Sequence, residues 1–349
     1  MSQKIKRPNA GPPKGITPSA ISGLPITSIG IPTLDAVIGG GLPLGSFTLI
    51  ETDDDDGFSK IIERCYLSLG DILGHQTFYA NFEDDVPNFY QEGSSAPEKS
   101  RNNNSKNDRN LSENDMKIAW QYQNQSPEQM MSRHAGFKNK GGITIDMNKI
   151  KSLEEVASRI DFRKSVSAEN YSPKNILGKL KEFYQEHNES LKNLPNMRMA
   201  HRKNCFRTLI SGVEGAFWNC QQENLNTYKF LRQLKAITPQ NSFTVITIPH
   251  QVVNKNPNFR RYFDLSIKLT NLAANIEIID EDYIISMPKK MGYHGLLEIT
   301  KCQSAQSLSP ILPDSNNLAF KIKKIGGLQV EILHLPPEDS VAKENLSQF

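Results

Sequence analysis

Residues 27–51 read TSIGIPTLDAVIGGGLPLGSFTLIE. Leu34, Val37 and Ile38 are spaced for one face of a short helix. Gly39, Gly40 and Gly41 follow at once and predict its end, because glycine accepts the left-handed backbone that a helix stop needs. Residues 42–45 (LPLG) read as a turn, and residues 46–51 (SFTLIE) as a short buried strand. After a polar loop, Phe58, Ile61, Ile62, Cys65, Tyr66, Leu69, Ile72 and Leu73 form one wide apolar stripe at helical spacing. Residues 76–82 (QTFYANF) read as a second strand. Strand, helix and strand in such close succession make a βαβ unit, which implies a parallel sheet.

On the N-terminal side, residues 1–24 are rich in Pro, Gly and Ser and are expected to be a disordered tail. On the C-terminal side, residues 92–115 carry almost no apolar side chain, cannot offset their own ordering entropy, and read as a disordered insertion. Residues 151–171 and 188–204 read as further polar insertions, with a small apolar island, MKIAWQY, at 116–122. Apolar spacing predicts helices over 176–187 and 225–237. Strands are predicted over 143–147, 205–210, 243–248, 265–269, 296–299, 319–322 and 328–333. The β-branched run FTVITI at 243–248 is the expected central strand, stopped by Pro249. The fold class is therefore α/β: one domain over 25–338 with a mostly parallel central sheet flanked by helices, and a short tail at 339–349.

Composition narrows the function classes. Hydrophobic residues make up 37% and charged residues 23% of 349, enough for a core but below the usual apolar share. The net charge of +3 is compatible with RNA contact and equally with an ordinary soluble protein. Cys65, Cys205, Cys220 and Cys302 form no CxxC pair and there is no HExxH, so neither a zinc site nor a disulfide framework is indicated. No secretory signal opens the chain and no apolar run is long enough to span a membrane, which leaves cytoplasm and nucleus as the expected locations.

The loop between the first strand and the long helix carries the chemical argument. In a nucleoside-triphosphate enzyme of this architecture it reads GxxxxGK[ST]: backbone N–H groups cradle the phosphates, Lys neutralises them and Ser or Thr holds Mg²⁺. Here that register holds Thr52, Asp53, Asp54, Asp55, Asp56, Gly57, Phe58 and Ser59. Thr52 replaces the first glycine, Phe58 replaces the lysine, and four aspartates fill the cradle. Each carboxylate about 4 Å from a phosphate costs roughly 1–4 kcal/mol. Four of them outweigh the ~0.3–1 kcal/mol that a helix N-terminus contributes. The loop is expected not to bind ATP in the usual mode. Lys60 sits two positions late, and a divalent cation on the aspartates would lack the alternation and distal Glu of an EF-hand; a solvated acidic loop is the preferred reading. The strand that should end in a Mg²⁺-ordering Asp, at 206–210, ends instead at Ser211, with Glu214 nearby. No catalytic and no metal-ligating residue is assigned.

The opening TSIGIPTLDAVIGGGLPLGSFTLIE resembles the start of the RecA/KaiC-type core. MKIAWQYQ at 116–123, YHGLLEI at 293–299 and LAFKIKKIGGLQVEILHLPP at 318–337 narrow the resemblance to the family of the fourth Elongator subunit. That resemblance implies a RecA-like core with a degenerate phosphate loop and a hetero-hexameric ring with Elongator subunits five and six. The ring docks on the catalytic Elongator subcomplex, binds tRNA and supports wobble-uridine modification. It implies no cofactor in this subunit and ATP at the ring's interfaces. RNA contact would fall to basic side chains on pore-facing loops. The candidates are Arg260 and Arg261, beside Phe259, Tyr262 and Phe263 that could stack on bases, and Lys289 with Lys290. His294 reads as a core or interface histidine. The rivals are an active RecA/KaiC-like ATPase, a DNA recombinase paralogue, and a degenerate KaiC-like scaffold outside Elongator.

Overall fold

Phe47–Thr52 forms a strand (β4) buried from Phe47 through Glu51. It lies inside an eight-stranded sheet with both faces covered, so Phe47, Leu49 and Ile50 are buried on the two faces, with Thr48 and Glu51 buried among them. The structure, a computed structural model, describes residues 14–19, 21–53, 57–81, 88–93, 143–157, 171–192, 205–215, 218, 226–272, 288, 291–302, 312–313 and 315–333.

Ahead of β4 come β1 (Ile16–Pro18), β2 (Pro25–Thr27), α1 (Pro32–Val37) and β3 (Leu42–Pro43). After it come α2 (Gly57–Leu73), β5 (Gln76–Ala80), β6 (Tyr90–Glu92), β7 (Ile145–Ile150), α3 (Leu153–Ala157) and α4 (Pro173–Lys192). Then follow β8 (Phe206–Ile210), α5 (Thr227–Ile237), β9 (Ser242–Pro249), α6 (His250–Lys255) and a 3-10 helix (Pro257–Tyr262). The last four strands are β10 (Leu265–Asn271), β11 (Gly295–Lys301), β12 (Leu318–Lys323) and β13 (Gly327–Ile332). The large sheet runs β13-β12-β11-β10-β4-β9-β8-β5. The five strands from β10 to β5 pair in parallel, and β11, β12 and β13 continue the sheet antiparallel. This is the α/β sheet with flanking helices expected of a RecA-like core.

One face of the sheet packs on α2, whose Ile62, Tyr66 and Leu69 share a core with Ile50, Val245 and Ile267. The other face packs on α4 and α5, where Leu180, Phe183, Phe230 and Leu234 meet Leu49, Phe206 and Ile246. Asn226 starts α5 by accepting a bond from the Lys229 N–H, and the helix ends at Thr238. Gly39, Gly40 and Gly41 stop α1 with φ of 89°, 104° and 134°. A Cβ at Gly41 would lie 2.3 Å from the Thr27 carbonyl oxygen, so no other residue fits there without moving backbone.

Three expectations need correction. The disordered tail does not extend over all of 1–24: Ile16–Pro18 pairs antiparallel with Pro25–Thr27, and β3 adds a third strand within the stretch read as a turn. This small sheet is held by burial of Ile16 and by one cation, Arg207 of β8, which has no exposed surface. Arg207 donates to Thr27 Oγ1 (3.0 Å), the Ser28 carbonyl (2.9 Å) and His75 Nδ1 (3.1 Å), and its guanidinium lies 4.7 Å from the Tyr66 ring centroid. With Nδ1 accepting, His75 Nε2–H donates to the Lys14 carbonyl at 2.9 Å. Burial and then the Arg207 charge push the His75 pKa down to about 3, so the ring is neutral. Second, 151–171 is not wholly polar insertion, since α3 buries Val156 and Tyr171 is buried against Trp218. Third, α4 runs on to Lys192, into the stretch 188–204. Residues 94–142, with the MKIAWQY island, and both chain ends lie outside the described residues.

Candidate functional site

The parallel strands bring their carboxyl ends to one edge, where ligands bind in open α/β sheets. Four strand ends meet there: Thr52 of β4, Ser211 after β8, Pro249–His250 at the end of β9, and Asn271 of β10. The loop from β4 to α2 is the phosphate-loop position. Asp53 accepts a bond from the Asn271 N–H at 3.4 Å. Asp54, Asp55 and Asp56 lie outside the described residues. Gly57 is exposed at the start of α2 and Ser59 is buried. Phe58, in the lysine register, turns inward and meets the Phe320 ring edge-on, with centroids 5.1 Å apart. Lys60 points along the helix toward Glu63, with 3.9 Å between its ammonium and the carboxylate.

Beside this loop, polar groups of the chain bond to one another. Ser211 Oγ donates to Glu63 Oε1 at 2.7 Å, and Gly212 N–H donates to Thr247 Oγ1 at 2.7 Å. The Tyr171 hydroxyl donates to the Ser211 carbonyl. Burial raises the Tyr171 pKa far above its ordinary value, and the nearby Glu63 charge adds to it. Glu214 accepts from the Thr227 hydroxyl and sits at φ 61°, a left-handed conformation that costs a residue with a Cβ about 1–2 kcal/mol. Its carboxyl is pushed upward by burial. The two groups at the magnesium-ordering end of β8 are therefore tied to neighbours, not aimed at the phosphate loop.

On the opposite face of β4, Glu51 has no exposed surface. Arg260 grips it with both prongs, Nε to Oε1 at 2.6 Å and an Nη to Oε2 at 2.7 Å. Ser266 Oγ and Thr300 Oγ1 each donate to Oε1 at 2.8 Å, and His250 Nδ1 lies 3.1 Å from Oε2. Burial alone would raise the Glu51 pKa; the bonds from Arg260, Ser266, Thr300 and His250 outweigh it and hold the carboxyl at about 2.

This arrangement separates the RNA-contact candidates. Arg260 is engaged inside the protein with Glu51. Arg261 is exposed on the same 3-10 helix, beside exposed Lys255, Asn256 and Asn258. Of the aromatics expected to stack on bases, Phe259 and Phe263 are instead buried in the core, and Tyr262 is half-buried against Tyr228. The helix needs apolar anchors to lie on the sheet, and these rings supply them. Lys289 and Lys290 lie outside the described residues. His294 is exposed next to β12, with its N–H bonded to the Phe320 carbonyl at 3.0 Å. No group of three or more metal-ligating side chains occurs among the described residues, and no helix among them is long and apolar enough to cross a membrane. Glu51 was read only as the end of an apolar strand. The available signal was an acid closing a run buried on both faces, which demands a partner.

The model of the family described as PAXNEB protein matches residues 9–348. Elongator complex protein 4 of Xenopus laevis is 28% identical, over 95% of this chain and 85% of its own length. Elongator complex protein 4 of Danio rerio is 25% identical, over 96% of this chain and 87% of its own. The Homo sapiens protein of that name is 26% identical, over 95% and 82%.

Proposed function

This chain belongs to the PAXNEB protein family, and from that membership we propose that it is an Elongator subunit, a non-catalytic RecA-like member of a tRNA-modifying assembly. The single observation that carries the reading is the match of that family over residues 9–348, together with relatives named Elongator complex protein 4. In this reading it joins subunits five and six in a hetero-hexameric ring, docks on the catalytic subcomplex, binds tRNA and supports wobble-uridine modification in cytoplasm and nucleus.

The geometry supports an accessory role. The lysine register holds Phe58, packed on Phe320, and Ser211 after β8 is bonded to Glu63. Any ATP felt by the assembly would lie at interfaces between subunits and use groups other than this loop. Arg261 remains the basic candidate whose side chain is exposed for RNA.

A tagged pull-down with mass spectrometry, followed by ATPase assay and salt-titrated binding of an anticodon stem-loop, tests the reading. Recovery of two other small RecA-like Elongator subunits, RNA binding that weakens with salt, and no ATP turnover by the isolated chain are expected. A chain that purifies alone, hydrolyses ATP and ignores RNA would overturn it in favour of an active RecA-like ATPase.

A further inference from the structure

The stretch from Pro249 to Phe263 (PHQVVNKNPNFRRYF) contains Lys255, Arg260 and Arg261 and no acidic residue. It forms α6 and the 3-10 helix directly after central strand β9, at the carboxyl edge of the sheet. Gln251, Asn254, Lys255, Asn256, Asn258 and Arg261 are exposed along it. A carboxylate from β4, Glu51, bonds to it, and that carboxylate is wholly buried. The donors on Glu51 come from both ends of the stretch, His250 and Arg260, and from two further strands, Ser266 on β10 and Thr300 on β11.

We infer that Glu51 is a positioning residue: an internal anion that fastens the basic α6–3-10 segment to the sheet and sets where Arg261 and Lys255 stand. Five donor groups converging on one small oxyanion make the kind of site that elsewhere receives a bound anion. Here the chain supplies the anion itself, one residue before the degenerate phosphate loop begins at Thr52. The segment is thus held in one arrangement without a ligand. Two lysines also locate the same helix: Lys301 donates to the Arg260 and Phe263 carbonyls, and Lys235 to the Tyr262 carbonyl at 3.3 Å. These are bonds from part-exposed ammonium groups to neutral carbonyls. Glu51 differs because removing it leaves the Arg260 charge and two hydroxyls without their carboxylate partner.

The consequence for RNA rests on the proposed function; the fastening itself does not. Hydrogen exchange of the full chain in its assembly reads it directly. Glu51→Ala is expected to speed exchange of amides in 250–263 by roughly tenfold or more while those of β5 and β8 keep their wild-type rates. Added acetate, compared with chloride at equal ionic strength, is expected to slow the segment again, because a small carboxylate can refill the donor pocket; a merely structural loss would not respond. Arg260→Lys keeps the charge but loses the two-pronged grip, and should loosen the same segment if Glu51→Ala does not fold. Wild-type exchange over 250–263 in either folded variant overturns the inference, as does loosening that acetate leaves unchanged. Arg261→Ala separates the two readings. It should weaken stem-loop binding with exchange unaltered, and if binding is unchanged the RNA assignment of Arg261 fails while the fastening stands or falls on exchange alone.

Discussion

Glu51 and Phe58, on either side of the β4–α2 loop, are both held by contacts within the chain. The Glu51 carboxyl is held at about 2, against 4.5 ordinarily, so it stays ionised in the folded protein where it would be protonated in the unfolded one. A depressed acid contributes stability that is fully present above the unfolded value and lost as pH falls through the folded one. Its contribution is about 3 kcal/mol, present near pH 6 and vanishing between about pH 4.5 and pH 2. Denaturant titrations at pH 6, 4 and 3 should show that slope in the wild type and a shallower one in Glu51→Gln. An equal slope in both would show that other carboxylates govern acid unfolding. At Phe58 the expectation runs against restoring the consensus. Phe58→Lys returns the lysine of a phosphate loop but removes an edge-on pair with Phe320, at a cost of roughly 1–3 kcal/mol. Because Ser211 remains bonded to Glu63, no ATP turnover should appear. Turnover in this variant would mean that the lysine alone was missing.

Among the elements, β13 carries a device that leaves no trace in composition. It is an edge strand of the large sheet, and unpaired strand edges recruit other strands. Thr33, on α1, accepts the Val330 N–H at 3.0 Å and donates to the Leu328 carbonyl at 3.1 Å, standing in for a neighbouring strand. Thr33→Val keeps the shape and removes both bonds. It is expected to cost about 1–3 kcal/mol and to raise self-association, which thermal unfolding and light scattering would detect. Unchanged values for both would mean that water satisfies the edge equally well. The same contrast explains what could be read from sequence. Strands β4, β8 and β9 are buried on both faces and are rich in apolar and β-branched residues, and α2 shows its stripe plainly. By contrast β1, β2 and β3 span two or three residues each, in Pro- and Gly-rich sequence, and exist because Arg207 and the core beneath them supply partners. The position of the β4–α2 loop was legible because its register is fixed by the strand before it and the helix after it. The Glu51–Arg260 grip was not, since it joins residues 209 positions apart and no local pattern encodes such a pair.

At the scale of the whole molecule, the two ends of the long insertion meet on one small hairpin. Residues 94–142 leave and rejoin the chain at one place: β6 and β7 pair antiparallel, and the Gly93 N–H donates to the Thr144 carbonyl at 2.7 Å. The hairpin is itself anchored on α2, through the Tyr90 N–H on Ser68 Oγ (2.9 Å) and through the Lys151–Asp71 ion pair that follows β7. These contacts are made by described residues on either side of 94–142. Loop-closure entropy grows with the logarithm of loop length, so replacing 94–142 by a four-residue Gly/Ser turn is expected to gain about 2 kcal/mol. The shortened chain is expected to unfold at the same or a higher temperature, with β6 and β7 still protected from hydrogen exchange. If the assembly also still forms and binds stem-loop RNA, the work of this subunit resides in the sheet and its carboxyl-edge loops. A shortened chain that folds but no longer joins the assembly would move the partner contact into 94–142, and one that unfolds would show that the hairpin depends on the segment it appears only to carry.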